Sequence, residues 1–175
     1  KDTVLVSIMH VNNEMGAIQD IEAIGKIIKE NSSRAKFHVD AVQSYGKLDI
    51  DVKKMNIDLL TASSHKIHGP KGIGFSYIKK GIIPKSLISG GSQEGGFRGG
   101  TQNVPGIIGF KKAAEITFGC REENYNHAAE LKKYMIERLK EIDNIRINSP
   151  IGENFSPYIL NVSFIGVRAE VLLHL

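Results

Sequence analysis

Short apolar runs alternate with amphipathic stretches in the first half of the chain. Three mostly apolar runs predict β-strands: residues 4–9, 36–39 and 57–62. Because residues 4–9 form a nearly unbroken, β-branched apolar run, we expect this strand to be buried on both faces. Between the first two runs, residues 19–30 place apolar side chains at helical spacing: Ile21, Ile24, Ile27 and Ile28. Strand, helix and strand in this order predict a right-handed parallel unit.

The second half of the chain has a different pattern. Residues 72–78 predict a further strand, and residues 104–119 predict a helix with Pro105 in its first turn, where proline is tolerated. A long helix is expected over residues 122–142, with one apolar face: Ala128, Leu131, Met135 and Leu139. Two short strands and the start of another helix follow: residues 145–148, 158–164 and 168–175. We therefore expect a domain junction near residue 122.

Two residues with useful chemistry follow predicted strands. Asp40 ends the second strand, and Lys66 lies in a turn rich in glycine and proline, residues 63–72, directly after the third. In open α/β sheets, ligands bind in the crevice outside such strand ends. A lysine amine can form a Schiff base with an aldehyde such as pyridoxal phosphate (PLP). A PLP enzyme also needs a carboxylate that keeps the pyridine nitrogen protonated, so Asp40 and Lys66 together predict a PLP site.

Each residue alone has a simpler interpretation. A lysine in a loop of this composition is usually solvated. An aspartate at a strand end often starts a turn or caps a helix. Lys71, in the same turn, is the competing lysine, and its place beyond the turn favours a solvated side chain. The pairing of Asp40 with Lys66 at neighbouring strand ends is what favours catalysis.

Four ordered motifs support that interpretation. They are Met9-His-Val-Asn-Asn-Glu-Met-Gly16, His38-Val-Asp-Ala-Val-Gln43, Ser63-Ser-His-Lys-Ile-His-Gly-Pro-Lys-Gly72 and the glycine-rich residues 90–103. With these motifs the chain resembles the class V aminotransferase family, and within it the NifS/IscS-type cysteine desulfurases. The resemblance implies an α/β fold, the PLP-dependent transferase fold type I, in which residues 72–78 run antiparallel to their neighbours. Residues 1–122 would form the C-terminal part of the large, mostly parallel-sheet domain, and residues 123–175 the beginning of the small α+β domain.

The resemblance also implies roles for individual residues. Lys66 would be the catalytic residue and would carry the cofactor. The other implied cofactor-binding residues are Asp40 at the pyridine nitrogen, Asn13 and Gln43 at the phenolic oxygen, Ser63 and His65 at the phosphate, and Thr101 at the phosphate of the other subunit's cofactor. Each has a structural alternative: turn formation for Asn13 and Ser63, a polar helix position for Gln43, an ordinary loop histidine for His65, and a flexible surface loop for Thr101.

The implied activity is removal of sulfur from L-cysteine, which leaves alanine. L-cysteine would displace Lys66 from the cofactor, and the freed amine would move the α-proton. A downstream cysteine would then take the sulfur as a persulfide for iron–sulfur cluster or thio-cofactor assembly, with a homodimer and a sulfur-acceptor or scaffold protein as partners. The alternatives are a selenocysteine lyase, another class V enzyme such as an aminotransferase, or a non-catalytic truncated module.

The single cysteine, Cys120, lies between two predicted helices and outside the motifs. A nucleophilic cysteine needs a mobile, partly exposed loop. In the family that the chain resembles, the sulfur-accepting cysteine comes later than the end of this sequence. We therefore expect a structural Cys120. The Cys and His spacing predicts no metal site.

Composition narrows the classes of protein to which the chain can belong. The 175 residues are 41% hydrophobic and 24% charged, which is typical of a soluble globular protein. A net charge of +4 with interspersed signs gives no support for a nucleic-acid partner. No apolar run reaches the length of a membrane span, and one cysteine suits a reducing, cytoplasmic setting. Since the chain starts at Lys1 and enters a strand almost at once, we expect a piece of a longer protein.

Overall fold

The computed structural model describes residues 2–174. Its strands are β1 Leu5–Met9, β2 Lys36–Asp40, β3 Leu59–Ser63, β4 Gly74–Ile78, β5 Ile145–Ile147 and β6 Val162–Phe164. Its helices are α1 Ile21–Asn31, α2 Val104–Gly119, α3 Arg121–Leu139 and α4 Ala169–His174. Two single-turn 3-10 helices, Ser64–Ile67 and Gln93–Gly96, complete the elements. We call Ser64–Ile67 the lysine turn, because it contains Lys66.

The larger sheet has the strand order β1-β2-β3-β4, with β1, β2 and β3 parallel and β4 antiparallel to β3. This confirms the predicted mixed sheet. Met9 lies opposite Asp40, and Asp40 lies opposite Thr61. The three parallel strands therefore end at one edge of the sheet, so the loops that follow them meet there. β5 and β6 form a separate antiparallel pair.

One face of the larger sheet holds the core. Side chains alternate along β2, so Phe37 and Val39 are buried under α1 while Lys36, His38 and Asp40 lie half-buried on the other face. The buried cluster combines both layers: Ile21, Phe37, Val39, Ala41, Ile57 and Leu60. α1 begins where Asp20 caps it, with the Asp20 carboxylate accepting from the N–H of Ala23 at 2.9 Å. The polar face that carries Asp40 is thus the face opposite the core.

The expectation that residues 4–9 are buried on both faces is wrong. Val4 and Leu5 are 51% and 50% exposed. β1 is an edge strand among the described residues, with β2 as its neighbour, and only Val6 and Ile8 pack against the core. Apolar composition predicted a strand here, but it did not reveal which strand lies at the edge.

The predicted apolar face of α3 is also partly wrong. Leu131 and Met135 are 54% and 51% exposed, whereas Lys132, Ile136 and Leu139 are buried. A hydrogen bond accounts for the difference: the Lys132 ammonium donates to the carbonyl of Ser156 at 2.9 Å. That bond requires the lysine side of α3 to face inward, which hydrophobic periodicity alone cannot predict.

Smaller differences concern the ends of elements. α2 has the predicted bounds, and α1, α3 and α4 differ from prediction by a few residues. The third strand begins at Leu59 rather than at residue 57, and only Val162–Phe164 of the predicted residues 158–164 is a strand. Residues 45–54, between β2 and β3, consist of turns and irregular segments. The division into residues 1–122 and 123–175 stays a prediction.

Replacing Gly25 by alanine is expected to destabilise the chain. Gly25 is buried in α1, and a Cβ there would overlap the backbone carbonyl oxygen of Met55. Since backbone moves less readily than a side-chain tip, we expect a loss of about 2–3 kcal/mol, despite alanine's better helix propensity. Urea unfolding of the chain measures it. The matched control is Gly119→Ala in α2, where no described atom lies within 4 Å of the added Cβ and stability should change by less than about 1 kcal/mol. A neutral Gly25→Ala would contradict this packing.

Candidate active site

Asp40 lies at the carboxyl end of β2 with one oxygen free. Its Oδ1 accepts the backbone N–H of Val42 at 2.9 Å, which begins the turn after the strand. Its Oδ2 makes no hydrogen bond within residues 2–174. Because paired residues of neighbouring strands point to the same face, Asp40 and Thr61 lie side by side, with Ser63 further along β3. The Asp40 carboxylate can therefore accept a hydrogen bond from a protonated nitrogen of a ligand that lies on this face of the sheet.

The lysine turn is tightly packed. Its first residue, Ser64, is fully buried and accepts the N–H of Gly69 at 3.1 Å through its carbonyl. His68 closes the turn in the left-handed region, with φ of 63°. A Cβ at Gly69 would overlap Ser64 Oγ and lie 3.1 Å from Ala113 Cβ of α2, so only glycine fits. This packing fixes the backbone of Lys66, whose side chain is half-buried.

A second lysine, Lys47, lies close to Lys66. Burial, followed by the positive charge of Lys66, lowers the pKa of Lys47 from its ordinary value. The turn that carries Lys47 abuts the lysine turn, since a Cβ at Gly46 would lie 3.2 Å from Ile67 Cγ2. The Lys47 ammonium lies 5.1 Å from the centre of the Tyr158 ring. Two adjacent cations make this part of the site suited to an anionic ligand. Sequence reasoning missed Lys47, although it belongs to the turn that begins beside Gln43.

A polar ladder runs across the sheet face beside Asp40. His38 Nδ1 lies 2.7 Å from Ser7 Oγ, and His38 Nε2 lies 3.2 Å from Thr61 Oγ1. The ladder joins β1, β2 and β3, and His38 shares a face of β2 with Asp40 because side chains alternate along the strand. Ser7 and Thr61 carried no sequence signal of their own, because each is a single polar residue within an apolar run.

Asn13 lies in the loop after β1. Its neighbour Asn12 forms the turn: Asn12 Oδ1 accepts the N–H groups of Glu14 and Met15 at 3.0 and 2.8 Å. Asn13 is exposed, and its carboxamide makes no hydrogen bond in the part of the chain that the structure describes. The side chain is therefore free to meet a ligand, and the backbone alone sets its position.

The remaining predicted site residues lie in three places. Gln43 is half-buried in the turn after Asp40, Ser63 is the half-buried last residue of β3, and His65 is exposed in the lysine turn. No side-chain hydrogen bond among residues 2–174 occupies any of the three. Thr101 is exposed in the segment before α2, and no described hydrogen bond joins it to the others. The topology thus places Asp40, Gln43, Ser63, His65 and Lys66 at the carboxyl ends of β2 and β3 or directly after them, with Asn13 on the loop that follows β1.

These side chains fit PLP. Asp40 has a free carboxylate oxygen for a pyridinium nitrogen, and Lys66 has an amine for an aldehyde. The hydroxyl of Ser63 and the imidazole of His65 make no described hydrogen bond and can donate to a phosphate, and both residues lie within three positions of Lys66. The roles of the individual residues stay predictions.

Cys120 lies between α2 and α3, where it ends one helix and precedes the next. Its side chain is exposed. A structural role for it stays a prediction. In the described residues, no cluster of three or more His, Cys, Asp or Glu side chains is placed to hold a metal ion. None of the described helices is long and apolar enough to cross a membrane.

His10 predicts a pH dependence of stability. Burial lowers its pKa below the ordinary value of 6.5, and its Nδ1 finds no partner in the described chain. As the pH falls through about 6.5, the unfolded chain binds a proton at His10 that the folded chain does not, so stability present above that pH is lost below it. We expect the free energy of unfolding to fall by up to about 1.4 kcal/mol per pH unit, from this residue alone, as the pH drops below about 6.5.

Urea titrations at a series of pH values measure this slope. His10→Gln should flatten it, whereas His127→Gln, at an exposed position of α3, should leave it unchanged. Equal slopes for the wild-type chain and His10→Gln would show that His10 titrates alike in the folded and unfolded states.

Comparison with known proteins agrees with this geometry. Residues 1–175 match the family described as aminotransferase class-V. The chain is 45% identical over 174 residues to the cysteine desulfurase IscS of Vibrio vulnificus, covering 98% of this chain and 42% of that protein. It is 45% identical over 177 residues to the cysteine desulfurase IscS of Dictyoglomus turgidum, covering 100% of this chain and 44% of the relative. A solved structure described as a NifS-like protein superposes with a TM-score of 0.95 at 42% identity, covering 100% of this chain and 47% of that one. The chain thus spans less than half the length of these relatives, and the predicted family and fold class are confirmed.

Proposed function

Because this chain belongs to the class V aminotransferase family, we propose that it forms part of a PLP-dependent cysteine desulfurase. That enzyme would take sulfur from L-cysteine and leave alanine. We call the longer protein that would carry this chain, with the length of the relatives, the parent protein. The observation that carries the proposal is the meeting of Asp40, with its free carboxylate oxygen, and the packed lysine turn at one sheet edge.

The residues of the site divide the binding work. When bound, PLP supplies an aldehyde carbon for amines and a ring that withdraws electrons. Asp40 would hold the ring nitrogen, and Ser63 with His65 would hold the phosphate. Asn13 and Gln43 would donate to the phenolic oxygen from two different loops. Since the turn after Asp40 and the lysine turn pack together at Gly46, these groups keep their spacing without the cofactor.

Lys66 would both hold the cofactor and move the proton. Its Nζ would act as a general base that accepts the α-proton of bound L-cysteine, and the same nitrogen would hold that proton for return to the carbon skeleton of the product. Burial, followed by the positive charge of Lys66, lowers the pKa of Lys47, so a negatively charged ligand group beside the two lysines would be favoured.

The final acceptor of sulfur would come from outside this chain. A cysteine elsewhere in the parent protein would take the sulfur as a persulfide and pass it to a sulfur-acceptor or scaffold protein for iron–sulfur cluster or thio-cofactor assembly. The parent protein would act as a cytoplasmic homodimer, with Thr101 serving the partner copy's cofactor. One observation supports the last point: Thr101 is exposed, so its side chain is accessible to a partner copy.

Assay of the parent protein tests the activity. With L-cysteine and a reductant we expect equal amounts of alanine and sulfide. Assays with L-selenocysteine and with an amino-group acceptor run beside it. A clear preference for selenocysteine, or keto-acid formation without sulfide, would point to a selenocysteine lyase or an aminotransferase in place of a desulfurase.

The 175-residue chain by itself is expected to be inactive. Desulfuration needs an electron sink, a proton-transfer base, a group that fixes the substrate carboxylate and a sulfur acceptor. Asp40 and Lys66 serve the first two with PLP, but no residue of this sequence resembles the family's carboxylate-binding arginine. Positioning groups supply much of a catalysed rate, so we expect a loss of several orders of magnitude relative to the parent protein.

Sulfide and alanine release from the purified chain with PLP, L-cysteine and a reductant measures this loss. Free PLP and the Lys66→Ala chain are the controls. Turnover above that of free PLP that disappears in Lys66→Ala would contradict the prediction, because it would mean that the chain carries a complete site.

A further inference from the structure

The loop that carries Asn13 is held by a distant part of the chain. We call residues 12–18 the Asn13 loop and residues 149–161 the clasp segment. Ser149 Oγ donates to the carbonyl of Met15 at 2.6 Å, although the two residues are 134 positions apart. The fold therefore places a segment from beyond α3 directly against a loop of the candidate site.

Further hydrogen bonds join the same two segments. The N–H of Ser156 donates to the carbonyl of Gly16 at 2.8 Å, and the N–H of Ile18 donates to the carbonyl of Asn154 at 2.8 Å. The carboxamide of Asn161 lies 3.4 Å from the carbonyl of Glu14. Successive carbonyls of the Asn13 loop are thus taken up by the clasp segment and not by solvent.

The Ser149 side chain makes hydrogen bonds to both the Asn13 loop and the clasp segment. It is fully buried, and its hydroxyl oxygen also accepts the N–H of Asn161 at 2.9 Å. One hydroxyl thus links the Asn13 loop to the strand-forming end of the clasp segment. Alanine at this position would remove the partner of the Met15 carbonyl and of the Asn161 N–H, so both hydrogen bonds between these groups and Ser149 would be lost. Gly16, with φ of +75°, allows the close approach, since a Cβ there would lie 3.0 Å from Ile159 Cβ.

The clasp segment is itself fixed from behind. The buried ammonium of Lys132 on α3 donates to the carbonyl of Ser156 and lies 5.9 Å from the centre of the Phe155 ring. Tyr158 of the same segment lies under the ammonium of Lys47, beside the lysine turn. The clasp segment therefore contacts two of the loops that form the candidate site, and a helix supports it.

We propose that Ser149 is a positioning residue for cofactor binding, and that it acts through Asn13. The inference rests on the proposed function, in which Asn13 binds PLP. The Asn13 side chain has no hydrogen-bond partner among residues 2–174, so the backbone of its loop sets the direction of its carboxamide. The carbonyls of the next residues, Glu14, Met15 and Gly16, are held by the clasp segment, with Ser149 at its centre. Loss of the Ser149 hydroxyl would release the loop and leave Asn13 without a fixed direction.

A double-mutant cycle on the PLP dissociation constant of the parent protein tests this. The four proteins are wild type, Ser149→Ala, Asn13→Ala and the double variant. We expect Ser149→Ala to weaken PLP binding by about tenfold in the wild-type background and by less than about twofold in the Asn13→Ala background. Ser163→Ala is the matched control, and PLP binding should not change. Ser163 lies on β6, and its hydroxyl accepts from Asn148 Nδ2 at 2.8 Å without contacting the Asn13 loop.

The outcomes distinguish failure of the positioning role of Ser149 from failure of the proposed role of Asn13. The same weakening by Ser149→Ala in both backgrounds would overturn the positioning role, since Ser149 would then act independently of Asn13. Wild-type PLP binding by Asn13→Ala would instead contradict the role of Asn13 in the proposed function, and the positioning role with it. Wild-type binding by Ser149→Ala beside weakened binding by Asn13→Ala would overturn the positioning role alone.

Hydrogen exchange on the PLP-free protein supplies a readout that does not involve the cofactor. The N–H of Ile18 donates into the clasp segment, so its exchange should be at least about tenfold faster in Ser149→Ala and unchanged in Ser163→Ala. Unchanged exchange at Ile18 would overturn the inference. If Ser149→Ala does not fold, Ser149→Cys, with a weaker donor of similar size, takes its place in both experiments under the same criteria.

Discussion

Replacing Lys66 by alanine in the parent protein is expected to lower kcat for desulfuration of L-cysteine by at least about 10³-fold. In the proposed function, the substitution removes both the amine that would hold the cofactor and the base that would move the α-proton. The lysine turn should survive, because its packing depends on Ser64, Gly69 and α2 and not on the Lys66 side chain. Alanine release under saturating L-cysteine measures kcat, and a melting temperature near that of wild type shows that the loss is chemical.

Two controls accompany Lys66→Ala. Lys71→Ala removes an exposed lysine of the same motif, and Cys120→Ser removes the exposed cysteine between α2 and α3. Both should keep kcat within a few-fold of wild type. A loss in Lys71→Ala equal to that in Lys66→Ala would show that the wrong lysine has been assigned. A similar loss in Cys120→Ser would show that this cysteine is the sulfur acceptor.

Asp40→Asn is expected to lower kcat by about 10²- to 10³-fold, the usual effect of removing one preorganised electrostatic partner. In the proposed function, the substitution removes the negative charge that would keep the ring nitrogen protonated, so the ring would withdraw electrons less well. Asparagine keeps an oxygen that can accept the N–H of Val42, so the turn after β2 should be preserved. The expected result is therefore a loss of kcat with nearly unchanged stability.

Asp51→Asn is the matched control for this substitution. Asp51 Oδ1 accepts the N–H groups of Lys53 and Lys54, a turn of the same kind as that at Asp40, but Asp51 is exposed and lies outside the site. Asp51→Asn should leave kcat unchanged. Wild-type kcat in Asp40→Asn would mean that no charge is needed at this position and would contradict the assigned role of Asp40.

The position of the site was predictable because it follows from local rules. Asp40 and Lys66 each end a short apolar run, and parallel strands bring such ends to one edge. The motif around Lys66 also contains the residues that pack its turn, Ser64 and Gly69, so local sequence and local structure agree there. Alternation along β2 placed His38 and Asp40 on one face for the same reason.

The clasp segment was not predictable, because its contacts join residues far apart in sequence. Nothing in the residues around Ser149 indicates that its hydroxyl meets Met15, and a buried Lys132 contradicts the apolar periodicity of α3. The partly exposed β1 is a related case, since composition describes a strand but not its neighbours. These features depend on the tertiary arrangement, which overrides local pattern where a buried polar group gains a hydrogen bond.

The most direct test of the account is to locate the cofactor on the parent protein. Borohydride reduction of the PLP-loaded protein fixes the bond between a lysine nitrogen and the aldehyde carbon of the cofactor, and peptide mass spectrometry identifies the lysine. We expect the pyridoxyl group on Lys66, and no label on the corresponding peptide of Lys66→Ala. A label on Lys47 or Lys71, or the absence of any labelled lysine in a protein that turns over L-cysteine, would contradict it.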